Sequence, residues 1–401
     1  MSGEQLGTDI KIHEKIGKGG FSIVNRCTDE NNNEFAVKRC KISKLGIPHP
    51  QELSIMMSIK HPNINGAQRV YTPPGSKTLY IFQDLAKGDI AKIVRHDKLS
   101  GKQRPDPQTI RKWLVQLVSA VSCLHKQNII HADIKAGNIL LFDNGDIRLS
   151  DFTLAIKQWS QDLKYNHTVC TSTHRPIENH LKREWDASLD IWSLGCTIYE
   201  IIYGHLLFPY QGNLGEVKKD HLDERCTNCL IDWGITGPIK QSFNAVTTKY
   251  EYLKFNLTPE FRSDPYGIND LLLKMLMLNK DDRPTINDIL KHRLFTGCPK
   301  MNYVLMSTPR EEISEKEVKR ILDICNSKSI GQHATIIAVD LYKRTVKMTS
   351  NSDLIRIYAC IWLACKLCHK LLPKFEVAIN KLVSVERSIC AFLEYRLHFS
   401  G

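Results

Sequence analysis

Apolar and polar side chains alternate along the first forty residues, and from residue 108 onward the apolar ones recur every three or four positions. Ile10-Lys11-Ile12 leads through a glycine-rich turn to Ser22-Ile23-Val24. After the polar turn Asn31-Asn32-Asn33 comes Glu34-Phe35-Ala36-Val37-Lys38, which carries the two-residue period of a strand. Residues 51–60 predict a helix ending before His61-Pro62, and residues 78–85 a further apolar strand. Ile110, Trp113, Leu114, Leu117 and Val121 fall on one helical face. Strands first and helices afterwards predict an α+β chain with a small sheet lobe and a larger helical lobe. A linker is expected near 297–310, around Gly297, Pro299 and Pro309. Beyond it, Ser314-Glu315-Lys316-Glu317 has the form of a capping box opening a new helix.

Four helical stripes follow that box. Val318, Ile321, Leu322 and Cys325 form the first, and Ala334, Ile337 and Tyr342 a less regular second. Leu354, Ile357, Ile361, Trp362 and Cys365 form the third, and Val385, Ile389, Phe392 and Leu393 the fourth. No internal repeat or long low-complexity tract is present.

Composition narrows the class. At 401 residues the chain exceeds one ordinary core, and 42% hydrophobic residues support folded domains. No apolar run reaches the length of a membrane span. The start, Met1-Ser2-Gly3-Glu4, lacks a signal-peptide or myristoylation pattern. Thirteen cysteines without framework spacing suggest reduced thiols and an intracellular, cytoplasmic or nuclear setting. The formal charge of +12 is dispersed in short clusters such as Lys218-Lys219-Asp220, so no direct nucleic-acid binding and no membrane association are expected. Cys226-Thr227-Asn228-Cys229 near His221 has metal-like spacing but no second pair, and reads as structural thiols. Asn256-Leu257-Thr258 is a glycosylation sequon only in a secreted chain.

The chemistry-bearing residues concentrate in two places. Gly17-Lys18-Gly19-Gly20-Phe21-Ser22-Ile23-Val24 is a loop whose glycines let backbone N–H groups approach phosphate oxygens. A strand pattern follows it, which disfavours a dinucleotide fold; Ser22, in place of a further glycine, stiffens the tip. Lys38 ends the next strand, where it can hold phosphates as a point charge, and Glu52 on the following helix is the candidate to orient it. Downstream, His131-Ala132-Asp133-Ile134-Lys135-Ala136-Gly137-Asn138 and Asp151-Phe152-Thr153 place Asp, Lys, Asn and Asp in the order that phosphoryl transfer from Mg-ATP requires. Asp133 is the candidate base, Lys135 the neutralising cation, and Asn138 and Asp151 the Mg²⁺ oxygens. His131 supports the loop. A structural network explains any one of these residues, but not the whole ordered set.

Over residues 9–297 the chain resembles a eukaryotic-type protein kinase, with a mainly β N-lobe over about 9–85 and a mainly α C-lobe over about 86–297. Asp190-Ile191-Trp192-Ser193-Leu194-Gly195 and Asp281-Asp282-Arg283-Pro284 extend the match. The resemblance implies that Asp190 holds the catalytic loop and that Arg283 pairs with Glu178 of Arg175-Pro176-Ile177-Glu178. It implies that Ile16, Val24, Ala36 and Leu140 enclose adenine, with Gly17 and Gly19 at the phosphates. Asp84 and Ala86 would offer hinge backbone groups, and Gln83 the gatekeeper. Lys135 is similar to its counterpart in Ser/Thr rather than tyrosine kinases.

The finer resemblance is to cyclin-dependent kinases. Gly46 to Ser54 before His61-Pro62-Asn63-Ile64 is similar to their regulatory helix, two residues shorter. Tyr165-Asn166-His167 through Thr171 resembles their activation segment, with Asn166 at the phosphorylated threonine. Ala132 stands where an arginine would bind that phosphate, so the usual phosphate network is gone. Thr168, Thr171, Ser172 and Thr173 remain nearby. Ala359 to Lys366 and Val385-Glu386-Arg387 resemble two helices of a cyclin box, and Lys366 and Glu386 match residues that contact the kinase. The implied organisation is a kinase domain, a linker over 298–310 and a cyclin-like domain over 311–401, contacting each other within the chain. Its divergence resembles that of kinases of large DNA viruses, which would place it in a host cell. The rival readings are a pseudokinase scaffold, motivated by Ser22, Ala132 and Thr153, and a regulatory module acting through residues 311–401 on another kinase.

Overall fold

A computed structural model describes residues 5–6, 10–19, 22–42, 49–73, 76–95, 105–158, 165–180, 182–208, 267–277, 279–296, 304–305, 311–348, 353–368 and 372–393. Gly20, Phe21, Gly46-Ile47-Pro48, the Lys218-Lys219 cluster, His221, Cys226, Cys229, the Asn256 sequon, and linker residues 298–303 and 306–310 lie outside them. The strands are β1 (Gln5–Leu6), β2 (Ile10–Lys18), β3 (Ser22–Thr28), β4 (Glu34–Lys41), β5 (Ile59–Lys60), β6 (Arg69–Tyr71), β7 (Thr78–Asp84), β8 (Gly88–Asp89), β9 (Ile129–Ile130), β10 (Ile139–Leu141), β11 (Ile147–Leu149), β12 (Ile156–Lys157) and β13 (Val304–Leu305). The helices are α1 (Pro50–Ser58), α2 (Ile90–Val94), α3 (Pro107–Lys126), α4 (Ile177–His180), α5 (Ser188–Tyr203), α6 (Ile268–Met275), α7 (Ile286–Leu290), α8 (Glu315–Ser327), α9 (Gln332–Thr345), α10 (Asp353–Leu367) and α11 (Ile379–Phe392). The α+β class expected from the pattern is the one observed.

The chain divides into two compact units: residues 1–85 with 303–401, and residues 86–302. The first contains a six-stranded sheet in the order β1-β2-β3-β4-β7-β6, antiparallel throughout. The alternation that marks these strands buries Ile10, Ile12, Cys27, Val37, Tyr80 and Phe82 as one cluster. All nine residues of α1 are buried, including the polar Gln51, Glu52, Ser54 and Ser58. Its partners include α10 of the C-terminal helices. Residues 59–60 differ from the helical expectation. The helix ends at Ser58, Ile59 turns extended (φ −103°, ψ 117°), and β5 pairs with β13, drawn from the segment expected as linker.

The four expected C-terminal stripes are the helices α8 to α11. The capping box forms: the Glu317 N–H donates to Ser314 Oγ (3.3 Å) and the Ser314 N–H to Glu317 Oε2 (2.8 Å). Ile321, Cys325, Ile337, Ile361, Trp362 and Ile389 are buried as their spacing implies; Leu322, expected in the first stripe, is 39% exposed. Lys366 and Glu386 face one another: Lys366 Nζ donates to both carboxylate oxygens at 2.7 Å. A separate contact joins these helices to the sheet region, where Arg387 Nη2 donates to the Ser76 carbonyl (3.1 Å).

In the second unit α3 starts on Asp106, whose carboxylate accepts from the Gln108 and Thr109 N–H groups, with Pro107 in the first turn. Its buried face carries Ile110, Trp113, Leu114, Leu117 and Val121. The helix α5 is buried from Leu189 to Tyr203 and stops at Gly204, whose φ of 75° glycine adopts without strain. No described helix is long and apolar enough to cross a membrane.

Candidate active site

In the first unit, Lys38 and Glu52 form a direct ion pair, with side chains 13% and 4% exposed. Strand and helix bring them together across fourteen residues of sequence. Ala36 and Lys38 share a face of β4, and Val24 lies opposite Lys38. Gly17 faces Val24 across the hairpin, and the Gly19 N–H closes the turn on the Ser22 carbonyl (2.9 Å). A Cβ at Gly19 would lie 3.1 Å from the Ser22 hydroxyl, so the serine occupies the space that a side chain there would need. Ile16 is exposed, Gln83 pairs opposite Ala36, and Asp84 closes β7 opposite Phe35.

In the second unit, Ala86 precedes β8, and Leu140 sits in β10 opposite Asp89 and Arg148. The catalytic-loop residues are fixed by Asp190, which is fully buried. Its Oδ2 accepts from the His131 N–H (2.8 Å) and from His125 Nε2 (2.9 Å), and its Oδ1 from the Ala132 N–H (2.9 Å). His131 Nδ1 accepts from the Asp133 N–H (3.2 Å), which leaves the proton on Nε2, beside the Ser150 carbonyl (3.1 Å). His131 is thus a strut between two loops, as the sequence suggests.

Asp133 is the centre of the polar group in this unit. Lys135 Nζ donates to its Oδ2 (2.7 Å), and the Thr171 N–H and hydroxyl both donate to its Oδ1 (2.7 Å each). Lys135 Nζ also donates to Thr171 Oγ1 (2.7 Å), closing a three-membered polar ring. Burial alone would raise the Asp133 carboxyl, but the Lys135 ammonium and the Thr171 hydroxyl outweigh it and hold the pKa below the ordinary carboxylate value. Asn138, set by a short 3₁₀ turn over Ala136–Asn138, donates its Nδ2 to the Asp133 carbonyl (2.8 Å) and to Oδ2 (3.0 Å). Its side-chain oxygen is thereby left as an acceptor. Ser150 bonds the Asn138 carbonyl through both N–H and hydroxyl (2.8 Å each), tying this turn to the segment that leads into Asp151. Asp151 is exposed, has a left-handed backbone (φ 63°), and accepts from the Thr153 hydroxyl (2.7 Å). An amide oxygen and a carboxylate are hard donors of the kind Mg²⁺ takes alongside phosphate oxygens.

Residues 10–295 match the family model of the protein kinase domain. The chain belongs to the protein kinase family. Cyclin-dependent kinase 7 of Dictyostelium discoideum is 26% identical over 303 residues, 71% of this chain and 79% of that protein. Cyclin-dependent kinase D-1 of Arabidopsis thaliana is 25% identical over 309 residues, 71% of each. Mitogen-activated protein kinase kinase kinase 1b of Physcomitrium patens is 29% identical over 327 residues, 79% of this chain; there the chain spans only 37% of the relative's length. The family match ends before the helices α8 to α11.

This kinase domain has one tie that the resemblance implied and others that the sequence did not signal. Arg283 and Glu178 form the implied pair, bidentate at 2.6 and 2.8 Å, and Arg283 also lies over the Trp192 ring (5.1 Å). Arg175, noted in the sequence only for its place before Glu178, donates to the carbonyls of Val169 and Cys170 at 2.8 Å each. Cys170 has φ 62°, an uncommon backbone for a non-glycine residue. Thr171 was named only as a hydroxyl near the activation segment; its bonds to Asp133 arise from tertiary folding across thirty-eight residues. No local pattern could signal them. Among the described residues, no group of three or more His, Cys, Asp or Glu side chains is gathered as for a metal ion.

Proposed function

We propose that this protein is a serine/threonine kinase that transfers the ATP γ-phosphoryl group to protein hydroxyls, with its C-terminal helices serving as a built-in activator. The observation that carries the reading is the ring of Asp133, Lys135 and Thr171. An ionised carboxylate held beside an ammonium can accept the hydroxyl proton of an incoming Ser or Thr as its oxygen bonds to the γ-phosphorus and the bond to ADP breaks. Lys135 then offsets charge on the transferring group. Lys38, oriented by Glu52, holds phosphate oxygens of ATP. By resemblance to the family, Ile16, Val24, Ala36 and Leu140 would enclose the adenine, and the backbones of Asp84 and Ala86 would meet its edge. Asn138 and Asp151 are the residues that would hold Mg²⁺, which when bound neutralises phosphate charge.

The activator reading rests on α1. Glu52 is useful only while α1 keeps it at Lys38, and α1 is buried on every residue, with α10 among its partners. The β5–β13 pairing and the Arg387–Ser76 bond support the same role. A cyclin-like character of α8 to α11 is part of this proposal. Lys366 and Glu386, bonded to each other, would contribute by locking α10 to α11.

Analysis of the phosphorylated amino acids tests the enzyme class. Protein labelled from γ-labelled Mg-ATP should yield phosphoserine or phosphothreonine. Phosphotyrosine alone would contradict the reading, as would no labelling at all, which is the outcome a pseudokinase scaffold predicts.

A further inference from the structure

The residues from 165 to 171 are pinned at every second position by other groups of the chain. The Trp185 N–H donates to the Tyr165 carbonyl (2.9 Å), as part of an isolated antiparallel bridge. The His167 carbonyl accepts from both Trp185 Nε1 and Asn179 Nδ2 (2.9 Å each). The Val169 N–H donates to Asn179 Oδ1 (3.0 Å), and the Thr171 N–H to Asp133 (2.7 Å). Asn166 and Thr168 fall between the pins and are exposed.

Beneath the pins lies an apolar cluster. Ala132, Ile156, Val169, Trp185 and Leu189 pack together fully buried, with Tyr165 laid against them. The rings of Tyr165 and Trp185 stack at 4.9 Å and 29°. Ala132 in particular is 0% exposed, so a longer side chain there would have to displace the packing.

We infer that Trp185 and Asn179 are positioning residues that hold residues 165–171 in register with Asp133 without phosphorylation, the Trp185 indole seated on the cluster around Ala132. Trp185 acts through Tyr165 and His167, and Asn179 through His167 and Val169. Both act on the segment that carries Thr171 to the Asp133 carboxylate. The effect on catalysis rests on the kinase reading above; the ordering of the segment does not.

The test uses the full chain, treated with phosphatase, and reads two quantities. Amide hydrogen exchange reports the Val169 and Thr171 N–H groups, and steady-state kinetics separate the KM for a protein acceptor from the KM for ATP. The dephosphorylated wild type should protect both amides. Trp185→Ala should lose that protection and raise the acceptor KM about tenfold or more, with the KM for ATP unchanged. Trp185→Phe, which keeps a ring on the cluster but lacks the indole N–H, should fall between the two. Asn179→Ala should lose protection at Val169 and so decides the matter even if Trp185→Ala does not fold. Asn166→Ala should match wild type. Protection that vanishes on phosphatase treatment would overturn the inference, as would full protection and unchanged acceptor KM in Asn179→Ala and Trp185→Phe. A wild type that protects both amides yet transfers no phosphate would instead defeat the kinase reading and leave the ordering in place.

Discussion

Thr153 and Asp151 share a hydrogen bond in which a hydroxyl steadies a carboxylate without exhausting it, since an ionised carboxylate offers about four lone-pair sites. Thr153, one motive for the pseudokinase reading, is therefore compatible with cation binding at Asp151. Removing the hydroxyl in Thr153→Val should loosen Asp151 and raise the Mg²⁺ concentration for half-maximal transfer by about threefold, from the modest value of an exposed hydrogen bond. A Mg²⁺ titration of transfer rate checks this; an unchanged midpoint would show the bond to be incidental. Asp133 carries a pH prediction of its own. Its depressed pKa means its ionised form persists below the ordinary carboxylate value of about 3.9, so loss of transfer between pH 7 and 5 should not follow its protonation. Arg283 and Glu178 are buried together, and breaking such a pair leaves an unpaired charge. Glu178→Ala should cost about 3–5 kcal/mol of stability, measurable by denaturant unfolding. Lys38, Asp133, Lys135, Asn138 and Asp151 could be found in the sequence because each sits in a short ordered motif. Trp185, Asn179 and Arg175 could not, because their roles consist of bonds to backbone groups several to many residues away.

At the scale of elements, local periodicity predicted type better than limits. The strands of the sheet and the helix α3 follow their patterns closely. The misread element is the end of α1, where Ile59 and Lys60 continue a helical run of side chains but pair with Val304 and Leu305. A partner more than two hundred residues downstream, in a segment that reads as linker, is invisible to a local window. Just beyond that pairing, His61 accepts from the Asn63 N–H at Nδ1 (3.0 Å), and burial depresses its pKa to about 4. The unfolded chain takes up a proton at His61 below about 6.5, while the folded chain does not until about 4. Stability tied to this group is therefore complete above pH 6.5 and declines as pH falls towards 4, by about 3 kcal/mol at most. His61→Asn should flatten that part of the stability–pH curve; an unchanged slope would assign the pH dependence to other groups.

For the molecule as a whole, the informative fact is that residues 303–401 share a compact unit with residues 1–85. Their helical stripes were legible in the sequence; which part of the chain they pack with was not, because amphipathic faces do not name their partners. An activator within the chain would make activity independent of protein concentration and of a second subunit. Truncation after Leu305, which keeps β13, should lower transfer at least about tenfold while leaving residues 86–302 folded; undiminished activity would remove the activator role. The central claim is phosphoryl transfer itself, and one comparison tests it most directly. The purified full chain, incubated alone with labelled Mg-ATP and a protein acceptor, should transfer phosphate, and Asp133→Asn and Lys38→Met should each reduce the rate by about a hundredfold or more. Equal rates in all three proteins would contradict the account.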